Sequence, residues 1–118
     1  MNSHWIHIHQ THKLVIAYLE TEYLSEELSL ELVKTLTERM RYQNGHYFIL
    51  DLSKVQVIVS ACLAAFVKFL QDLELVRGRV ALVNCQPNVA LVLKMTRLDR
   101  ILIVCDSTDE AKMKLHAA

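Results

Sequence analysis

Ser60 is the residue of this chain whose type and position most invite chemistry. It follows the apolar run Val55-Gln56-Val57-Ile58-Val59 and opens the segment Ser60-Ala61-Cys62-Leu63-Ala64-Ala65-Phe66-Val67-Lys68-Phe69-Leu70, which reads as a helix. A serine at that point stands where an N-cap belongs, its hydroxyl accepting a bond from an orphan backbone N–H. The same place suits a phosphoserine, because the partial positive charge and free N–H groups of a helix start stabilise an added anion. The other reactive residue types give less. Two glycines, Gly45 and Gly78, leave no room for a dinucleotide fingerprint or a phosphate-cradling loop. His4, His7, His9 and His12 cluster early, but no Cys-x-x-Cys or His/Cys spacing of a zinc site accompanies them. His7 and His9 share a strand face and could bind a transition metal, but the signal is weak, and exposed strand histidines beside Trp5 are the preferred explanation. Cys62, Cys85 and Cys105 each sit in an apolar segment with no histidine close in sequence, so they read as small buried hydrophobes of a reducing cytosol. Asp51, Asp99 and Asp106 fall at element ends and read as capping or solvated groups. No catalytic, metal or cofactor constellation emerges, and the expectation is a protein that is not an enzyme.

The elements that must position Ser60 follow from periodicity. Trp5 to Gln10 alternates as a half-buried strand, with Ile6 and Ile8 on one face and His7 and His9 on the other. His12-Lys13 turns into a second strand, Leu14 to Leu19. Ser25 caps a helix whose Leu28, Leu32, Leu36 and Met40 share one stripe, with Glu26 and Glu27 in its first turn. Asn44-Gly45 ends it, with glycine expected as the left-handed residue. Tyr47 to Leu52 is a buried strand leading into the Ser60 helix, which is expected to bury Leu63, Phe66, Val67 and Leu70 and to end at Arg77-Gly78. Val80 to Val83 is a fourth strand, and Pro87 starts a short helix to about Thr96. Ile101 to Val104 is a fifth strand, and Ser107-Thr108-Asp109-Glu110 caps a last helix reaching Leu115. The order β-β-α-β-α-β-α-β-α predicts an α/β fold, a sheet of about five mixed strands covered by about four helices.

Residues 1–118 read as one domain. Apolar residues make up 53% of the sequence, which argues against disorder. Thirteen basic and thirteen acidic side chains cancel, so no global charge draws the chain to nucleic acid or to an anionic membrane surface. No apolar run is long enough to span a bilayer, and the first residues lack a secretion-signal layout, so a cytoplasmic location is expected.

Around Ser60 the small residues Ala61, Ala64 and Ala65, with Lys68 and the apolar loop, would let a partner backbone approach closely. The same alanines would equally serve a helix packed tightly on its own sheet.

The block Ile49-Leu50-Asp51-Leu52-Ser53 followed by Val59-Ser60-Ala61-Cys62-Leu63-Ala64 resembles the strand-loop-helix signature of the STAS domain, as found in anti-sigma-factor antagonists. Leu93-Lys94-Met95-Thr96-Arg97-Leu98 and Asp106-Ser107-Thr108-Asp109-Glu110-Ala111 are similar to two later parts of the family pattern. Together they extend the resemblance over residues 12–115. It implies a STAS-type fold, no cofactor, and a signalling role in transcription regulation by partner switching. In that family the serine of the block is phosphorylated by a kinase that is also the anti-sigma factor, and a phosphatase reverses it. Carried onto this chain, the phospho-acceptor is Ser60, and the partner-binding surface comprises Val57, Val59, Ser60, Ala61, Ala64 and Lys68. A homodimer through the first strand is left open. Where the family has acids flanking the acceptor, this chain has Val59 and Leu24, and the expectation is a more apolar surface. Cys62, Ala64 and Arg97 stand at family glycines. Stand-alone STAS domains also bind the ATPase of some membrane transporters, which is the alternative role.

Overall fold

The computed structural model describes residues 4–116. In chain order the elements are β1 (Ile6–Thr11), β2 (Leu14–Leu19), β3 (Tyr23–Leu24), α1 (Glu26–Tyr42), β4 (Tyr47–Asp51), β5 (Val57–Ile58), α2 (Ser60–Leu75), β6 (Arg79–Val83), α3 (Pro87–Met95), a 3-10 turn (Leu98–Arg100), β7 (Ile103–Cys105) and α4 (Thr108–His116). The main sheet has the order β1-β2-β4-β6-β7. Among the described residues only the β1–β2 hairpin is antiparallel; β2, β4, β6 and β7 run parallel, each pair joined by a helical crossover. The expected α/β architecture is therefore present.

Strand side chains alternate between two unequal layers. Val15, Ala17, Leu19, Phe48, Leu50, Val80 and Leu82 face α1, α2 and α3 and form the larger core. Ile16, Ile49, Ala81, Val83 and Cys105 face α4, which contributes Ala111 and Leu115. Arg79 Nη1 donates to the carbonyls of Lys114 (3.0 Å) and Leu115 (3.4 Å), holding the last turn of α4 against the sheet. Two caps match the sequence reading. Ser25 Oγ accepts from Leu28 N at 3.2 Å, and Ser107 Oγ accepts from Glu110 N at 3.1 Å while Glu110 Oε1 accepts from Asp106 N at 2.9 Å.

Several expectations need correction. The left-handed residue after α1 is Asn44 (φ 59°), not Gly45. Gly45 is tightly enclosed instead: a Cβ there would lie 3.0 Å from Val15 Cγ2 and 3.1 Å from the Arg39 carbonyl oxygen, so its neighbours would have to give by a few tenths of an ångström. The end of α2 repeats the device, with Arg77 left-handed (φ 58°) and Gly78 N donating back to the Leu73 carbonyl at 2.8 Å. The fifth strand is Ile103–Cys105, because residues 98–102 are spent on a tight turn after the left-handed Arg97 (φ 62°). In α2 the fully buried residues are Cys62, Phe66, Phe69 and Leu73. Leu63, Val67 and Leu70, expected inside with Phe66, are only partly buried. The helix presents Phe69 to the sheet, where its ring meets Phe48 edge-on at 5.1 Å and 86°.

Candidate functional site

Every helix starts at the carboxyl edge of the parallel strands, where ligands and partners of open α/β sheets are usually met. The chain leaving β4 at Asp51 is fixed there from both sides. Toward β6, Leu52 N donates to the Val83 carbonyl (3.0 Å), and Asn84 Nδ2 donates to Asp51 Oδ2 (3.2 Å). Gln86 Nε2 donates to the Ser53 carbonyl (2.5 Å), while Asp51 Oδ1 accepts from Ser53 N (2.9 Å). Toward β2, Lys54 Nζ contacts Glu20 Oε2 at 2.5 Å, and Gln56 N and Val57 N both donate to the Glu22 carbonyl, at 2.7 and 3.0 Å. Leu52 and Val55 are fully buried beneath. The loop is a positioned platform.

That platform carries a feature the sequence did not announce. Tyr23 and Leu24 pair in parallel with Val57 and Ile58 as a separate two-stranded ribbon. Leu24 and Ile58 point inward, and Tyr23 and Val57 point out, 55% and 45% exposed. Leu24, expected to make the surface more apolar, is instead a core residue with no exposure. The exposed apolar contribution comes from Tyr23, which the sequence reading missed because a two-residue strand has no readable period.

Ser60 follows at once, exposed to solvent. It is the first residue of α2 rather than its cap: Val59, extended at φ −89° and ψ 162°, occupies the cap position. Cys62 N and Leu63 N bond back to the Val59 carbonyl at 2.9 and 3.4 Å, so the N–H groups of Ser60 and Ala61 lack intrahelical partners. No side chain caps this helix and no acid lies in its first turn, unlike α1 and α4. Among the described residues Ser60 Oγ takes part in no hydrogen bond. The result is a free hydroxyl over an unneutralised helix start, electrostatically suited to carry an anion.

Of the other predicted contact residues, Val59 and Ala61 are half-buried and Ala64 is exposed. Ser60, Ala64 and Lys68 form one exposed stripe at i, i+4 and i+8. Lys68 lies roughly 12 Å along the axis from Ser60 at 1.5 Å per residue. Its Nζ pairs with Asp72 Oδ1 at 3.0 Å, so it borders the site rather than neutralising it.

The cysteines are free, and two of them are buried outright. Burial pushes the Cys62 thiol up to about 12, and burial with the neighbouring Asp51 carboxylate pushes Cys85 up to about 11. Cys105 is also raised, first by burial. Thiolate is the reactive form. The folded protein is therefore expected to react slowly with a thiol-specific reagent near pH 8, releasing three equivalents only on unfolding. Because the folded thiols hold protons that unfolded ones with the ordinary value of 9.0 surrender, their stabilising contribution is intact below pH 9 and declines as pH rises above it. Rapid labelling of folded protein would contradict this.

The STAS domain family model matches residues 9–111. No sequence match to a curated protein is found. Among solved structures, a Thermotoga maritima protein described as a putative anti-sigma factor antagonist is 28% identical over 96% of both chains, with a TM-score of 0.80. The anti-sigma factor antagonist SpoIIAA of Bacillus shares the fold at 17% identity. Its unphosphorylated form gives a TM-score of 0.80 over 96% of this chain and 97% of that one. Its phosphorylated form gives 0.71 over 92% and 96%. The murine Slc26a9 anion transporter contains the fold as well, 17% identical over 93% of this chain but 19% of its own, with a TM-score of 0.74.

Proposed function

The chain belongs to the STAS domain family, and we propose that it is a partner-switching regulator of the anti-sigma-factor-antagonist kind that acts by binding rather than catalysis. Its docking surface is the apolar rim of Tyr23, Val57, Val59, Ala61 and Ala64 around Ser60, and Ser60 is the phospho-acceptor. The partners are a serine kinase that doubles as an anti-sigma factor and the phosphatase that opposes it. The observation that carries this reading is the unbonded, exposed Ser60 hydroxyl on an uncapped α2 start. Phosphorylation would add about −1.5 to −2 charges there. In the free domain the helix N-terminus favours that charge; beneath an apolar partner surface it would be stripped of water without a cation to pair with. One modification would thus stabilise the free form and disfavour the bound one. Exposure to an extract of its own cells with ATP is expected to add the mass of one phosphoryl group, in intact-mass measurement, to the native chain and none to Ser60→Ala. Equal modification of both would reject the acceptor.

The alternative is a constitutive contact with the ATPase of a membrane transporter. It is favoured by one feature, Val59 where the family's acceptor-flanking acid would stand, since a permanent apolar contact needs no kinase environment. No helix among the described residues is long and apolar enough to cross a membrane, so this role would also be that of a bound subunit. Co-purification with an ATPase, unchanged by phosphatase treatment, would favour it.

A further inference from the structure

β1 forms one edge of the sheet and pairs, among the described residues, with β2 alone. Its register and the bond from Glu20 N to the Trp5 carbonyl (2.6 Å) place the N–H and C=O groups of Trp5, His7, His9 and Thr11 toward β2. Those of Ile6, Ile8 and Gln10 therefore point outward from a six-residue strand. Ile6–Thr11 contains no Lys, Glu or Pro, the residues with which native sheets usually blunt an edge. The Gln10 side chain does not cover it either. It is drawn onto the helix side, where Nε2 donates to the Gln43 carbonyl (2.6 Å) and Oε1 accepts from Arg39 Nη1 (3.1 Å). On the opposite face of the same strand His7 and His9 are both exposed, two residues apart. Their neighbours there are Tyr18, opposite His7, and Ile16, opposite His9. The polar contact that holds either imidazole is a long one, 3.4 Å between His9 Nε2 and Thr11 Oγ1.

We propose that two copies of this chain pair antiparallel through β1, and that the junction assembles a four-histidine site for a divalent transition-metal cation, Zn2+ in particular, from His7 and His9 of each copy. The geometry follows from the free edge. With Ile8 opposite Ile8 of the second copy, the outward groups of Ile6, Ile8 and Gln10 find reciprocal partners. That register sets His7 directly opposite His9 of the second copy, twice, on one face. These are non-hydrogen-bonded positions, so the facing Cα atoms lie about 4.5 Å apart. The two histidine pairs lie about 7 Å apart along the strand at 3.4 Å per residue. Four imidazoles at the corners of such a rectangle can tilt toward one centre above the sheet and meet the tetrahedral, nitrogen-rich preference of zinc, with Zn–N bonds near 2.0–2.1 Å. One copy cannot do this: among the described residues no group of three or more potential ligands is placed to hold a metal ion. The site lies on the sheet face opposite α2 and is independent of Ser60.

The test titrates untagged, EDTA-treated full-length protein with ZnCl2, following heat and molar mass together. The expected result is uptake of half an equivalent of Zn2+ per chain with a doubling of mass. His7→Ala/His9→Ala loses both responses, and His4→Ala/His12→Ala keeps both. Because His7 and His9 are exposed, circular dichroism of the double variant should match that of the native protein. One equivalent per chain on a monomer, no uptake, or uptake that survives His7→Ala/His9→Ala would each overturn the proposal.

Discussion

Ser60→Asp is expected to weaken capture of the protein partner by roughly a hundredfold or more, and Ser60→Ala to change it by less than a few-fold. A hundredfold corresponds to about 2.8 kcal/mol, well within the several kcal/mol that an unpaired charge costs in a desolvated contact. The alanine result follows because, among the described residues, the Ser60 hydroxyl makes no hydrogen bond that its removal could break. Stability should move the other way. An acid in the uncapped first turn of α2 interacts favourably with the helix start by about 0.3–1 kcal/mol, so Ser60→Asp should unfold at a slightly higher denaturant concentration than the native chain. Weaker binding by a more stable protein separates a charge switch from simple damage to the fold. A pull-down in parallel with urea unfolding measures both, and loss of binding by Ser60→Ala as well would count against the switch.

Phe69→Ala should produce the largest loss of stability, about 3–5 kcal/mol, out of a total that for a domain of this kind is about 5–15 kcal/mol. Phe69 is 2% exposed and its ring stands edge-on against Phe48 at 5.1 Å. Leu50, Phe66, Val80, Leu82 and Leu102 line the same apolar crevice. Deleting the ring would leave a void at the seam between α2 and the sheet, loosening the helix that carries Ser60. Leu70→Ala, one position along and only partly buried, should cost clearly less. Chemical denaturation of the two variants therefore also decides the rotational setting of α2; equal losses would mean that the helix is turned from the position described.

That setting was the least legible part of the fold. The helix is apolar almost all round, because it packs against both the sheet and α1, so Leu63, Val67 and Leu70 competed with Cys62, Phe69 and Leu73 for the inner face. Where one face was clearly polar, as in α1, the stripe through Leu32 and Leu36 was readable, and so were the caps at Ser25 and Ser107. The run Ile101 to Val104 suggested a strand by composition alone. Its first half is a turn, and Ile101 is 53% exposed, because the left-handed Arg97 sets the chain's path there. At the site, the exposure of Ser60 and the apolar character of its surroundings could be anticipated from residue types. The inward position of Leu24 and the outward position of Tyr23 could not, since both depend on pairing with residues 57–58, more than thirty positions away. Asn84 and Gln86, which fix the loop by reaching Asp51 and Ser53, were invisible for the same reason.

The most direct test compares one wild-type preparation in two states, phosphorylated at Ser60 and then returned to the free hydroxyl by phosphatase, titrated calorimetrically against the captured kinase partner. The account predicts binding that disappears with the phosphoryl group in place and returns when it is removed. Equal affinity in both states would contradict it.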